Sequence, residues 1–219
     1  MNRINRFVLP LLWIIVCPAF AVAANIKPHL SGAAMEERLA AVIKDPKATE
    51  AAAKSAKSVT FFCANCHGEG GNSILPDVPN LAGQNPSYLL NQMIKFADGS
   101  RRNEFMEGLI KAMSDEERIN VSVYYANVKV VPAPVGNKAA MAKGKDVFFR
   151  VCQHCHGPAG RGSNVIARLA GQKPDYLVKS LKRYRDGTGE RIDPLMAANT
   201  KNLADAEISA LATYISTME

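Results

Sequence analysis

Two stretches of this chain combine cysteine and histidine at a chemically useful spacing: "FCANCHGEGG" at 62–71 and "VCQHCHGPAG" at 151–160. In each, two cysteines stand three apart and a histidine follows the second. On a helical turn, residues i, i+3 and i+4 project from one face. Cys63, Cys66 and His67 therefore converge on one surface, as do Cys152, Cys155 and His156. Three chemistries use such cysteine pairs. A redox dithiol needs a strand–helix setting and has no need of the following histidine. A zinc site would require the two pairs to meet, yet each belongs to its own stretch of chain. A haem takes both thiols onto its vinyl groups and leaves the histidine under the iron, which is why C-x-x-C-H is a haem attachment sequence. The spacing thus predicts two covalently bound haem c groups. His154 lies between the cysteines of the second motif, where the first has Asn65, so His156 and His67 are the expected iron ligands and His154 a surface residue.

The elements that must carry these motifs are written twice. With Cys63 aligned on Cys152, Leu81-Ala82-Gly83-Gln84 matches Leu169-Ala170-Gly171-Gln172. Pro86-x-Tyr88-Leu89 matches Pro174-x-Tyr176-Leu177, Asp98-Gly99 matches Asp186-Gly187, and Tyr124 matches Tyr214. Between the copies, Val130-Val131-Pro132-Ala133-Pro134-Val135-Gly136 has the composition of a short stiff linker. The expected division is a first unit at 47–129, a linker at 130–137 and a second unit at 138–219.

Each unit reads as helices without strands, an all-α fold. One helix leads into the cysteines (47–63 and 138–152). Another starts at Pro86 or Pro174, a favoured first helical position, and ends near Asp-Gly. The last helix of the first unit opens with Ser114-Asp115-Glu116-Glu117, a capping box; in the second unit Ala204 replaces the serine, so that cap is expected to rest on Asp205. So little apolar helix makes a marginal core, which a large apolar cofactor at its centre would complete.

A sixth iron ligand should recur at matching positions. Seven residues before the leading apolar residue of the last helix stand Met106 (before Met113) and Met196 (before Leu203). A methionine thioether opposite histidine is the ligand pair of electron-transfer cytochromes and raises the reduction potential. Met113 aligns with Leu203, a packing position, and Met93 lies inside an apolar helix. Two axial protein ligands leave no open place on the iron, which argues against oxygen binding or peroxidase chemistry and for outer-sphere electron transfer rather than enzymatic activity.

Arg3 and Arg6 precede an apolar run from Phe7 to Val16, and Ala21-Val22-Ala23 supplies the small residues of a cleavage site. Residues 1–24 are expected to be a signal peptide cut after Ala23 or Ala24, which exports the chain to the periplasm. Its removal takes Cys17 with it, and the four remaining cysteines all lie in the two motifs. Lys+Arg falls from 27 to 25 against 20 Asp+Glu. Residues 58–131 hold 6 basic and 8 acidic side chains, and 138–219 hold 13 basic and 8 acidic. Nucleic acid is a poor partner for an exported chain with no basic-aromatic run. An acidic redox protein or an anionic membrane surface suits the basic second half better.

Taken together, the two C-x-x-C-H units, the Leu-Ala-Gly-Gln-x-Pro-x-Tyr-Leu blocks and the methionine before a Ser-Asp-Glu-Glu helix resemble the dihaem cytochromes c4 over roughly residues 55–217. The resemblance implies two class I cytochrome c domains about a pseudo-twofold axis, haem propionates near their interface, and electron delivery between respiratory complexes or to a terminal oxidase. It makes Cys63, Cys66, His67 and Met106 one haem site and Cys152, Cys155, His156 and Met196 the other. The cytochrome subunit of a sulfur-oxidising flavocytochrome has a similar two-domain form and is the alternative. In such domains a proline carbonyl often orients the haem histidine; Pro79 stands at that place in the first unit and Ala167 in the second. The second unit keeps the family's glycine and aromatic on its first helix, Gly144 and Phe148, where the first has Ser55 and Val59, with Phe61 and Phe62 nearby. Gln84, Tyr88, Gln172 and Tyr176 either hydrogen-bond propionates or pack. Arg101-Arg102 and the run from Arg183 to Arg191 read as solvated faces within reach of propionates. Residues 25–46 form an extension whose "AMEERLAAVI" predicts an amphipathic helix stopped by Asp45-Pro46, packed on the surface or docking a partner, with His29 solvated.

Overall fold

A computed structural model describes residues 29–219; the expected signal peptide, its cleavage site and residues 25–28 lie outside that range. The described residues form helices and no strands. The first unit contains α2 (Pro46–Ser55), α3 (Lys57–His67), α4 (Pro86–Ala97), α5 (Glu104–Lys111) and α6 (Asp115–Ala126). The second contains α7 (Lys138–Val147), a π-helical turn (Phe148–Cys152), α8 (Gln153–His156), α9 (Pro174–Asp186), α10 (Pro194–Thr200) and α11 (Asp205–Ser216). Ahead of both lies α1 (Gly32–Lys44).

Local chemistry accounts for most of the boundaries. Pro86 and Pro174 open α4 and α9, and Gly187 closes α9 in the left-handed region at φ +65°. Ser114 and Glu117 form the full capping box of α6. At α11 the expectation fails: Glu207, not Asp205, accepts the Ala204 N–H at 3.0 Å. Asp205 is drawn away by Lys182 at 2.7 Å and Arg185 at 2.6 Å, two cations that outcompete a neutral backbone donor. The helix expected over 47–63 is interrupted at Ala56 and runs on to His67. Ser58 Oγ and Thr60 Oγ1 donate back to the carbonyls of Ser55 and Lys57, a competition with the backbone ladder that bends helices.

The two units complete their cores differently. In the second, α7 lies against α11 through Gly144, and Phe148 is fully buried with its ring 5.7 Å from Tyr214. In the first, Ser55, Phe61 and Phe62 are exposed and Val59 is half-buried. Its core is completed by α1, whose Met35 and Leu39 are fully buried among α2, α4 and α6. Burial of each contributes about 1.5–3 kcal/mol. The extension helix is therefore part of the first unit's packing rather than an element laid on its surface.

Ser31 caps α1, and Asp45 accepts the Lys47 N–H at 2.9 Å to end α1 and begin α2. His29 is exposed, yet its Nδ1 lies 2.7 Å from the Asp115 carboxylate, which also accepts the Leu30 N–H at 2.6 Å. Burial pushes the Asp115 carboxyl up, but Leu30 N–H, His29 and Arg118 together hold it below the ordinary carboxylate range. A carboxyl with a depressed folded pKa contributes stability above its unfolded pKa and loses it as pH falls through the folded value. Asp115→Asn is expected to cost about 1–2 kcal/mol near neutrality, with the gap from wild type closing as pH falls through the depressed folded value; thermal unfolding followed from neutral into acid measures it.

Candidate functional site

Each cysteine pair ends a helical segment. Cys63, Cys66 and His67 share the last two turns of α3, while Cys152 closes the π-helical turn and Cys155 and His156 lie on α8. The same orientation device then recurs. His67 Nδ1 donates to the Pro79 carbonyl at 2.9 Å, and His156 Nδ1 donates to the Ala167 carbonyl at 2.9 Å. Replacing proline by alanine leaves the bond unchanged, because the acceptor is backbone. Burial lowers both histidine pKa values, with the carbonyl bond opposing it in part. Each imidazole is thus neutral with Nδ1–H engaged, and the Nε2 lone pair remains for a metal. His154 is exposed, as expected.

The first thiol of each pair, Cys63 and Cys152, lies in surroundings that do not favour a redox dithiol. Burial pushes Cys63 up despite its Tyr125 contact, and pushes Cys152 up to about 12. Redox-active cysteines run on depressed thiolate pKa values; these move the other way.

Met106 and Met196 each occupy the third position of a short helix, α5 and α10. Asn103 Oδ1 accepts the Met106 N–H at 3.0 Å, and Asp193 Oδ1 accepts the Met196 N–H at 3.0 Å. Both methionines are half-buried, whereas Met113 and Leu203 are buried in the two cores. One continuous cavity of about 560 Å³ runs through both units, and all eight cysteine, histidine and methionine side chains line it. Two thiols, a neutral imidazole and a thioether in each half are the donor set of a covalently held iron porphyrin.

The seam between the units was less legible. Gln84 Nε2 donates to the Arg168 carbonyl at 2.9 Å and Gln84 Oε1 accepts the Arg168 N–H at 2.7 Å. Gln172 does the same to Asn80, at 3.0 and 2.7 Å. Asn80 and Arg168 are equivalent residues, each just before Leu-Ala-Gly, so the two clasps are reciprocal. These glutamines hold the seam by bonding the partner unit's backbone. Beneath them Gly83 (φ +61°) and Gly171 (φ +73°) flank Val130 of the linker, whose methyls a Cβ at either position would meet at 2.5 or 2.3 Å. Tyr88 and Tyr176 turn to Arg191 and Arg101, which are not part of solvated charge runs: both guanidiniums line the cavity. A sequence signal existed, since each arginine stands five residues before its methionine.

Comparison with known proteins finds c-type cytochromes. The cytochrome c family matches residues 141–219. A relative named cytochrome c4, from Thiocapsa roseopersicina, is 33% identical over 79% of this chain and 92% of its own. A relative named thiosulfate dehydrogenase electron acceptor, from Thiomonas intermedia, is 35% identical over 70% of this chain and 76% of its own. The crystal structure of reduced recombinant cytochrome c4 from Pseudomonas stutzeri superposes with a TM-score of 0.70 at 28% identity, covering 76% of this chain and 98% of that one.

Proposed function

Because the chain belongs to the dihaem cytochrome c4 family, we propose that it is a periplasmic electron shuttle whose first unit, 47–129, and second unit, 138–219, each hold one haem c. As a member it is a c-type cytochrome that carries electrons on covalently attached haem. When bound, haem supplies a one-electron iron couple. Cys63 and Cys66 would tether one group through their thiols, and Cys152 and Cys155 the other. His67 and His156 offer Nε2 to the iron, held in orientation by their Nδ1–H bonds. Met106 and Met196, lining the same cavity, would offer their thioethers to the iron.

The observation that carries this reading is the repetition of the whole donor set around one cavity. A full set in both halves leaves no vacant coordination position, so the residues bind and bury the redox group without offering it a substrate site. Among the described residues no helix is long and apolar enough to cross a membrane. The basic second unit suits an acidic docking face on a respiratory complex or terminal oxidase. The likeness to a thiosulfate dehydrogenase electron acceptor favours a second reading, in which a sulfur-compound dehydrogenase is the electron donor. Faster reduction by such a dehydrogenase than by a quinol-oxidising complex would select it.

The methionines provide the test. The purified protein should show two haems per chain and the red absorption band of iron–methionine ligation. Met106→Ala and Met196→Ala should each remove about half of that band and lower the potential of one haem. A wild-type protein with one haem lacking the band would return the reading to an enzyme.

A further inference from the structure

Two arginines meet at the seam under conditions that call for an anion. Arg101 Nη1 donates to Gln92 Oε1 at 3.0 Å, and its Nη2 reaches the hydroxyl of Tyr176 in the other unit at 3.3 Å. Arg191 Nη1 donates to Tyr176 at 2.8 Å. Its Nη2 crosses the seam to Tyr88, and to Gln92 Oε1 at 3.3 Å. The backbones are joined too: Arg101 and Arg191 form an isolated antiparallel bridge, and the Arg102 N–H donates to the Glu190 carbonyl at 2.8 Å. Arg101 lies 4.3 Å over the Phe96 ring and Arg191 5.5 Å from that of Tyr184.

Among the described residues neither guanidinium has a carboxylate partner. The nearby acids are engaged elsewhere: Glu190 pairs with Arg183, and Asp193 caps α10 at the Met196 N–H. Two like charges sharing a half-buried seam, with only phenols and one amide for partners, are costly unless an anion joins them. The Tyr176 phenol registers that shortage. Burial pushes Tyr176 up, yet Arg191 and Arg101 more than reverse it and bring it down to about 7. Both guanidiniums line the cavity that holds the cysteines and histidines, and a haem brings two propionate carboxylates into it.

We propose that Arg101 and Arg191 form one shared seat for haem propionates facing the seam, so that each haem's potential is set in part by the arginine of the other unit. The proposal rests on the two-haem reading above. Guanidinium is suited to the role because its fork bonds a carboxylate in two places and stays charged at any working pH. The crossing of the arms makes the effect mutual. Arg191 belongs to the second unit but touches Tyr88 and Gln92 of the first; Arg101 reaches Tyr176 in return. A positive charge at the seam favours the reduced state of both irons.

The test is a redox titration of the purified dihaem protein, with each wave assigned to its unit by the methionine variants. Arg191→Gln should lower both potentials, each reduction constant falling three- to tenfold, where tenfold is about 59 mV for a one-electron couple. Arg101→Gln, at the equivalent position, should do the same and decides the matter if the first variant does not accumulate. Arg191→Lys keeps the charge and should recover at least half the shift. Arg185→Gln, which removes a surface cation paired with Asp186 and Asp205, should move neither wave. Variants that retain two haems with unchanged potentials, a shift confined to the haem of the mutated unit, or a lysine variant as low as glutamine would each overturn the shared seat and leave the two-haem reading standing. A wild-type chain with no covalent haem would remove both.

Discussion

A chain with Cys152 and Cys155 both replaced by alanine is expected to carry one haem instead of two and to lose the cooperative unfolding of its second unit. The thioethers are the only covalent hold, so the haem count, read from alkaline pyridine spectra, should fall by half. The stability loss follows from volume. Empty apolar space costs about 24 cal/mol per Å³, and roughly half of the 560 Å³ cavity belongs to each unit. The resulting penalty of about 7 kcal/mol is comparable to the entire stability of a small domain. The corresponding change at Cys63 and Cys66 should leave more residual helix, because Met35 and Leu39 of α1 back the first unit's core and, among the described residues, no extra helix backs the second. A double variant that melts like wild type would show that the helices hold the cavity open unaided.

The second large effect sets one repeat against the other. Gly144→Ala is expected to destabilise the second unit by about 2 kcal/mol, whereas Ser55→Ala at the matching place should stay within about 0.5 kcal/mol. Alanine is the better helix former at both positions, by about 1 kcal/mol over glycine, so propensity alone predicts the opposite sign at Gly144. Packing decides. A Cβ on Gly144 would lie 2.0 Å from the Ala210 carbonyl oxygen and 2.8 Å from the Tyr214 Cβ, so α7 must withdraw from α11. That withdrawal also loosens Phe148, which the close approach buries. Ser55 is exposed and nothing opposes an alanine there. Thermal unfolding should show a fall of about 8–16 °C for the glycine variant.

The sequence by itself determined what depends on short range. Pro86, Pro174 and the Ser114–Glu117 box act within a turn of where they stand, so helix starts could be read directly, and the repeat identified equivalent positions without a structure. The candidate ligands were legible for the same reason: C-x-x-C-H is a one-turn pattern, and the methionines are marked by their distance to the next helix. Even locally there were misreadings where distant charges intervened, as when Lys182 and Arg185 took Asp205 from its cap. Only the tertiary structure decided how the two units use each other. The Gln84 and Gln172 clasps join positions more than eighty residues apart, to backbone atoms that carry no side-chain signature. Whether an arginine five residues before a methionine is a solvated charge or a seam cation depends on what lies opposite it, and that is fixed by packing rather than by its neighbours in the chain. The same holds for α1: its amphipathic pattern requires a covered face, but only the packing of the first unit, which lacks the glycine–aromatic contact of the second, makes Met35 and Leu39 part of that unit's core.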